Sequence, residues 1–129
     1  MYEVTVSRVF AAAHAIRLYD GSIEPLHGHN WTVDVTVETD QLDDIQVVMD
    51  FHKLEQSLDA LIGKLHNGNL NDVPPFDPTG RSSSSLNPTA ERVAWWFADQ
   101  LGPSLPRGAR LQVVKVGEAP GCTAAYRPD

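Results

Sequence analysis

The chain has 129 residues and a single cysteine, Cys122. No disulfide can form within it, and a domain of this length buries an adequate core without one, so a reducing compartment, the cytoplasm, is expected. Positive charge is also scarce: 10 Lys and Arg stand against 17 Asp and Glu, for a formal charge of −7. Such a deficit argues against nucleic acid and against an anionic membrane surface, because both need a basic face. No apolar run approaches membrane-spanning length. The opening residues, MYEVTVSRVF, lack the basic-then-apolar build of a secretion signal. What remains is one soluble globular domain over residues 1–129, whose 42% apolar and 21% charged residues are an ordinary balance.

Alternation is what the sequence does contain. Tyr2, Val4, Val6, Phe10, Ala12 and His14 fall on one face of a first strand, with Arg8 the single intruder, while Glu3, Thr5 and Ser7 fall on the other. From residue 27 the pattern resumes, with His27, His29, Trp31, Val33, Val35 and Val37 against Asn30, Thr32, Asp34, Thr36 and Glu38. The stretch IQVVMD, residues 45–50, reads as an extension or edge of the same sheet. Helical spacing follows: Phe51, Leu54, Leu58, Leu61, Ile62 and Leu65 form an apolar stripe, with Asp50 as N-cap. Residues 66–89 are rich in Gly, Pro, Asn and Ser and read as loop, the most mobile part of the chain. A second helix runs through NPTAERVAWWFADQL, capped by Asn87 with Pro88 in its first turn, and stops at Gly102-Pro103. ARLQVVKVGEA and CTAAYR, joined by a Pro-Gly turn, are the last two strands. The order is ββααββ, an α+β domain with an antiparallel sheet and two helices on one face.

The chemistry concentrates in PLHGHNWTVDV, residues 25–35, where two histidines open an otherwise apolar strand face. If the first two strands pair antiparallel, His14 at the end of one lies beside His27 at the start of the other. His27 and His29 are two apart and project to one face, which is also the face of His14. Three imidazoles then converge, and three protein nitrogens with one open position is the arrangement of a catalytic zinc site. Imidazole equally suits Fe, Ni or Cu. The competing readings are core or capping histidines bonded to backbone, or ligands of a purely structural metal. Three neutral rings without a ligand would be costly polar burial at an apolar strand end.

Five segments in order, FAAAH, LHGHN, MDF, NPTAERVA and VGEAPGCTAAY, resemble the 6-pyruvoyl-tetrahydropterin synthase / 6-carboxytetrahydropterin synthase family over nearly the whole chain. The resemblance implies a tunnelling fold, in which subunits form an oligomeric barrel, usually a homo-hexamer built as a dimer of trimers, with active sites at subunit interfaces. It implies 7,8-dihydroneopterin triphosphate as substrate and zinc (Zn2+) as cofactor, held by His14, His27 and His29. It also implies that Glu118 anchors the pterin ring through paired hydrogen bonds, and that Thr89 joins the pterin pocket from a neighbouring subunit.

The usual members carry a cysteine just ahead of the HGH motif. Here the loop reads DGSIEPLHGH, and Glu24 stands three residues before His27. That resembles the branch in which glutamate replaces cysteine as base and the product is 6-hydroxymethyl-7,8-dihydropterin. Zinc would then acidify the side-chain hydroxyls while Glu24 takes a proton. Where relatives place an Asp-His pair, this chain has His66 and Asn67, which leaves His66 as the candidate second proton carrier or, more simply, a cation at a helix end. Arg17, Lys64 and Arg81 are the candidate triphosphate partners, or ordinary surface charge. The alternatives are a 6-pyruvoyl- or 6-carboxy-tetrahydropterin product, or a non-catalytic paralogue that binds zinc and pterin.

Overall fold

The two alternating stretches become two long strands, β1 (Tyr2–His14) and β2 (His27–Thr39). In the computed structural model, which describes all 129 residues, they pair antiparallel without interruption from Tyr2 opposite Thr39 to His14 opposite His27. Directly opposed residues share a face, so Val6 with Val35, Phe10 with Trp31 and His14 with His27 all point the same way. The intruder Arg8 lies on that face but reaches outward over the first helix. Its guanidinium donates to Asp59 at 2.8 Å and to Glu55 at 2.6 Å, and that bond holds the Glu55 carboxyl below its ordinary range.

Helix α1 (Phe51–Ile62) begins where expected, with the Asp50 carboxylate accepting the His52 amide at 2.9 Å. Helix α2 (Ala90–Leu101) corrects the expected cap. Thr89, not Asn87, accepts the Arg92 amide at 3.2 Å, because the Asn87 side chain is engaged elsewhere. Strand β4 (Arg110–Ala119) pairs with β2, and β5 (Cys122–Tyr126) closes the far edge. Leu54, Leu58 and Leu61 of α1 and Val93, Trp96, Phe97 and Leu101 of α2 join Phe10, Trp31, Val33, Val35, Val114 and Val116 in one core, so both helices cover the same sheet face. Each fully buried residue of this kind contributes roughly 1.5–3 kcal/mol.

Three expectations change. Residues 45–50 form no strand: the Asp43 carboxylate accepts the amides of Ile45 and Val47, turning the chain so that Val48 and Met49 drop into the core. Residues 66–89 are not featureless loop. They hold a two-residue strand β3 (Gly68–Asn69), a 3-10 turn over Leu70–Asp72 and a bridge between Phe76 and Leu86, pinned by the burial of Leu70 and Phe76. Because β3 pairs parallel with β1, the sheet, ordered β3-β1-β2-β4-β5, is mixed rather than purely antiparallel. No helix is long and apolar enough to cross a membrane.

One glycine matters for placing the site. Gly117 lies opposite Thr32 on the outer face, and a Cβ there would press into Thr32 Oγ1. Gly117→Ala is expected to destabilise the fold by about 1–3 kcal/mol, and adding Thr32→Ala, which removes the obstructing oxygen, to recover most of that; thermal melting of the single and double variants checks it.

Candidate metal centre and adjoining cleft

The hairpin register delivers three imidazoles to one point. His14 and His27 form the last pair of the β1–β2 ladder, and His29 stands two residues along on the same face. Their ring centroids are 4.8–5.2 Å apart. Trp31 is the floor: it is fully buried, its indole N–H donates to the Ala12 carbonyl at 3.0 Å, and its ring meets His14 and His29 edge-on at 4.9 and 5.6 Å.

Strand β4 adds a fourth donor. Val114, Val116 and Glu118 alternate on the inward face, so Glu118 ends an apolar row and turns to the histidines. The β4–β5 ladder slips between Gly117 and Ala119, so Glu118 has no β5 partner. Its Oε1 lies 2.8 Å from His14 Nε2 and 3.4 Å from His29 Nε2. One ligand atom from each of His14, His27, His29 and Glu118 falls within 4.8 Å of the others.

The orientation of the rings tests whether this group suits a metal. His14 Nδ1 faces the Pro88 carbonyl at 2.8 Å and His27 Nδ1 faces the Pro25 carbonyl at 2.9 Å. A carbonyl only accepts, so in the neutral rings Nδ1 carries the proton and Nε2 the lone pair. Despite the nearby carboxylate, the buried Nε2 atoms of His14 and His29 have no aligned hydrogen-bond partner. His14 shows both features, an orphaned buried acceptor with a backbone carbonyl behind it, which is the outer-sphere arrangement of a ligating histidine. Three imidazoles suit a divalent transition metal, with the Glu118 carboxylate beside them.

Beside the cluster opens a cleft of about 460 Å3, lined by His14, Glu118, Thr89, Asn87, Glu91 and Arg17 together with Ile16, Leu18, Tyr19 and Ala90. Glu118 and Thr89 thus share one cavity with a candidate ligand within a single chain, whereas the resemblance implied that Thr89 comes from a neighbouring subunit. Glu24 sits on the other flank: its Oε1 accepts the Ile16 amide at 3.1 Å and lies 3.8 Å from His27 Nδ1. His66 is not brought to the cluster. Its Nδ1 accepts the Ala11 amide at 3.1 Å, three residues and about 10 Å along β1 from His14, where it ties the α1 exit to the strand edge. Arg17 is the one cation lining the cleft, with its guanidinium on the Pro78 carbonyl. Arg81 lies outside it beside Asp77, and Lys64 is an exposed residue in the turn after α1. Sequence reasoning missed Asn71, whose only signal was its presence in a polar loop, and it gave Asn87 a cap where the structure uses its side chain against β1's continuation.

The family model for 6-pyruvoyl tetrahydropterin synthase matches residues 3–129. The chain is 31% identical over 109 residues to dihydroneopterin monophosphate aldolase of Pyrococcus furiosus, covering 84% of this chain and 82% of that one. It is 32% identical to 6-carboxy-5,6,7,8-tetrahydropterin synthase of Bacillus subtilis, covering 98% and 86%. In three dimensions it superposes on Plasmodium vivax 6-pyruvoyltetrahydropterin synthase with a TM-score of 0.74 at 18% identity, over 99% of this chain and 98% of that one; two solved forms of that protein carry alanine or cysteine at a catalytic glutamate. The chain belongs to the 6-pyruvoyl tetrahydropterin synthase family, whose members are enzymes acting on pterins.

Proposed function

We propose that the chain is a zinc-dependent lyase that cleaves the side chain of a dihydroneopterin phosphate by a retro-aldol step, giving 6-hydroxymethyl-7,8-dihydropterin and glycolaldehyde phosphate. The observation that carries this reading is the placement of Glu24. It is the acidic group flanking the histidine cluster on the loop side, one oxygen is held by the Ile16 amide, and that loop contains no cysteine. The name of the Pyrococcus furiosus relative and the catalytic glutamate of the Plasmodium vivax protein support it.

His14, His27 and His29 would hold the ion through Nε2, and zinc there supplies acidification of the side-chain hydroxyls and polarisation of the carbonyl that forms. Glu24 removes the proton from the outer of the two hydroxyls. The bond between the two hydroxyl-bearing carbons breaks, its electron pair passes into the ring imine, and Glu24 returns the proton to the ring-side carbon. Glu118 accepts the ring's amino and N–H groups in a charge-assisted pair, with Thr89 on the opposite wall of the same cleft. We assign the monophosphate rather than the expected triphosphate on the name of the Pyrococcus furiosus relative, a dihydroneopterin monophosphate aldolase.

The test is incubation of the zinc-loaded assembly, six subunits on this reading, with dihydroneopterin monophosphate and triphosphate in separate arms, with products resolved by mass spectrometry. The monophosphate arm is expected to yield 6-hydroxymethyl-7,8-dihydropterin, and Glu24→Gln to slow it about 10²–10⁴-fold. A pyruvoyl or carboxy product, or full turnover by Glu24→Gln, overturns the reading.

A further inference from the structure

The three residues that follow His14 run extended, and every one of their backbone groups is taken by a side chain or by Glu24. In an extended chain the amide and carbonyl of alternate residues face opposite edges. On one edge, the Asn71 side chain accepts the Ala15 amide at 3.1 Å and donates to the Ala15 carbonyl at 2.9 Å. Two residues on, Asn87 does the same to Arg17, accepting its amide at 2.8 Å and donating to its carbonyl at 3.1 Å. On the other edge stands Glu24. Its carboxylate accepts the Ile16 amide at 3.1 Å, and its own amide donates to the Ile16 carbonyl at 3.0 Å.

The strap is therefore gripped from both edges, and the two asparagines come from separate elements. Asn71 belongs to the 3-10 turn after β3, where its own amide is bound by Asn69; Asn87 precedes α2. Each side chain must both donate and accept, which asparagine does and aspartate does not. Asn87 gives up the helix cap to Thr89 in order to do this.

From this arrangement we infer that Asn71 and Asn87 are positioning residues that set Glu24 against the histidine cluster by pinning the Ala15–Arg17 strap that holds its carboxylate. The inference rests on the reading of Glu24 as the base. A near-attack geometry lost by a fraction of an ångström lowers turnover without weakening the binding of substrate elsewhere in the site.

The experiment is a double-mutant cycle on the zinc-loaded protein with dihydroneopterin monophosphate. Asn71→Ala and Asn87→Ala are each combined with Glu24→Gln, whose amide oxygen can still accept from Ile16. Asn71→Ala is expected to lower kcat about 10-fold with KM and zinc content changed less than about 2-fold; Asn87→Ala, whose residue also lines the cleft, is expected to lower kcat about as much with zinc content unchanged, and each to have less than about 2-fold further effect on kcat in the Glu24→Gln background. An equal loss in both backgrounds, or a loss confined to KM, overturns the inference while leaving the role of Glu24 standing. Full activity of Glu24→Gln alone removes that role and the inference with it. The two asparagines sit in different elements, so if one variant does not fold the other carries the same cycle.

Discussion

Purified His14→Ala protein is expected to come off a zinc column cycle with less than a tenth of the metal held by the parent, and with no measurable pterin cleavage. His14 is the most enclosed donor of the group, at 1% exposure, and its Nδ1 is already fixed by the Pro88 carbonyl. Loss of an outer-sphere partner alone costs about 10–100-fold in metal affinity, so loss of the ligand should exceed about 100-fold. The same variant separates a catalytic from a structural ion. The 24 hydrophobic residues of the core pack against one another from both helices and the sheet, so both the variant and the chelated parent should keep their secondary structure and unfold cooperatively. Elemental analysis with circular dichroism reads both quantities, and a chelated parent that collapses would make the ion structural.

Trp31→Ala should be the most damaging single change to the fold. The indole is completely buried, stacks on Phe10 with centroids 6.1 Å apart and planes within 6°, and donates to the Ala12 carbonyl. Truncation leaves a cavity and removes the indole's hydrogen bond to Ala12, for a loss of about 3–5 kcal/mol. That is a large share of the roughly 5–15 kcal/mol available to a domain. Trp31→Phe keeps most of the volume and loses the N–H, so it should cost about 1–2 kcal/mol. Urea titration at constant slope distinguishes the two. Because His14 and His29 rest on the indole edge, the alanine variant should also bind zinc more weakly than the phenylalanine variant.

The parts of this molecule that could be read from the chain are those governed by period-two alternation. One face of β1 and β2 is apolar apart from Arg8 and the histidines at its end, and pairing the strands antiparallel leaves a single register that opposes His14 to His27. Glu118 was reached only through the family resemblance, because the register shift opposite Thr36 and Val37 breaks the alternation along β4 before it. What could not be read depends on tertiary partners. Asn87 and Thr89 are both good helix caps, and only the presence of Arg17 across the gap decides which is free to serve. Residues 45–50 carry strand-forming valines, but the Asp43 carboxylate captures two of their amides first. The order within residues 66–89 comes from Leu70 and Phe76, two apolar anchors in a polar stretch whose burial no local pattern announces. The sequence left His66 as a second proton carrier or a helix-end cation, and only the tertiary fold puts its ring on the Ala11 amide.

The unbroken pairing of two 13-residue strands has an evolutionary corollary. Gaining or losing one residue inside either strand would rotate an imidazole to the opposite side of the sheet and dismantle the donor set in a single genetic event. The tip between residues 18 and 22, where Leu18 and Ser22 close a turn, carries no such penalty, since each doubling of a flexible connection costs only about 0.6 kcal/mol. Length variation among descendants of this chain should therefore collect at that tip and stay out of the flanking ladder.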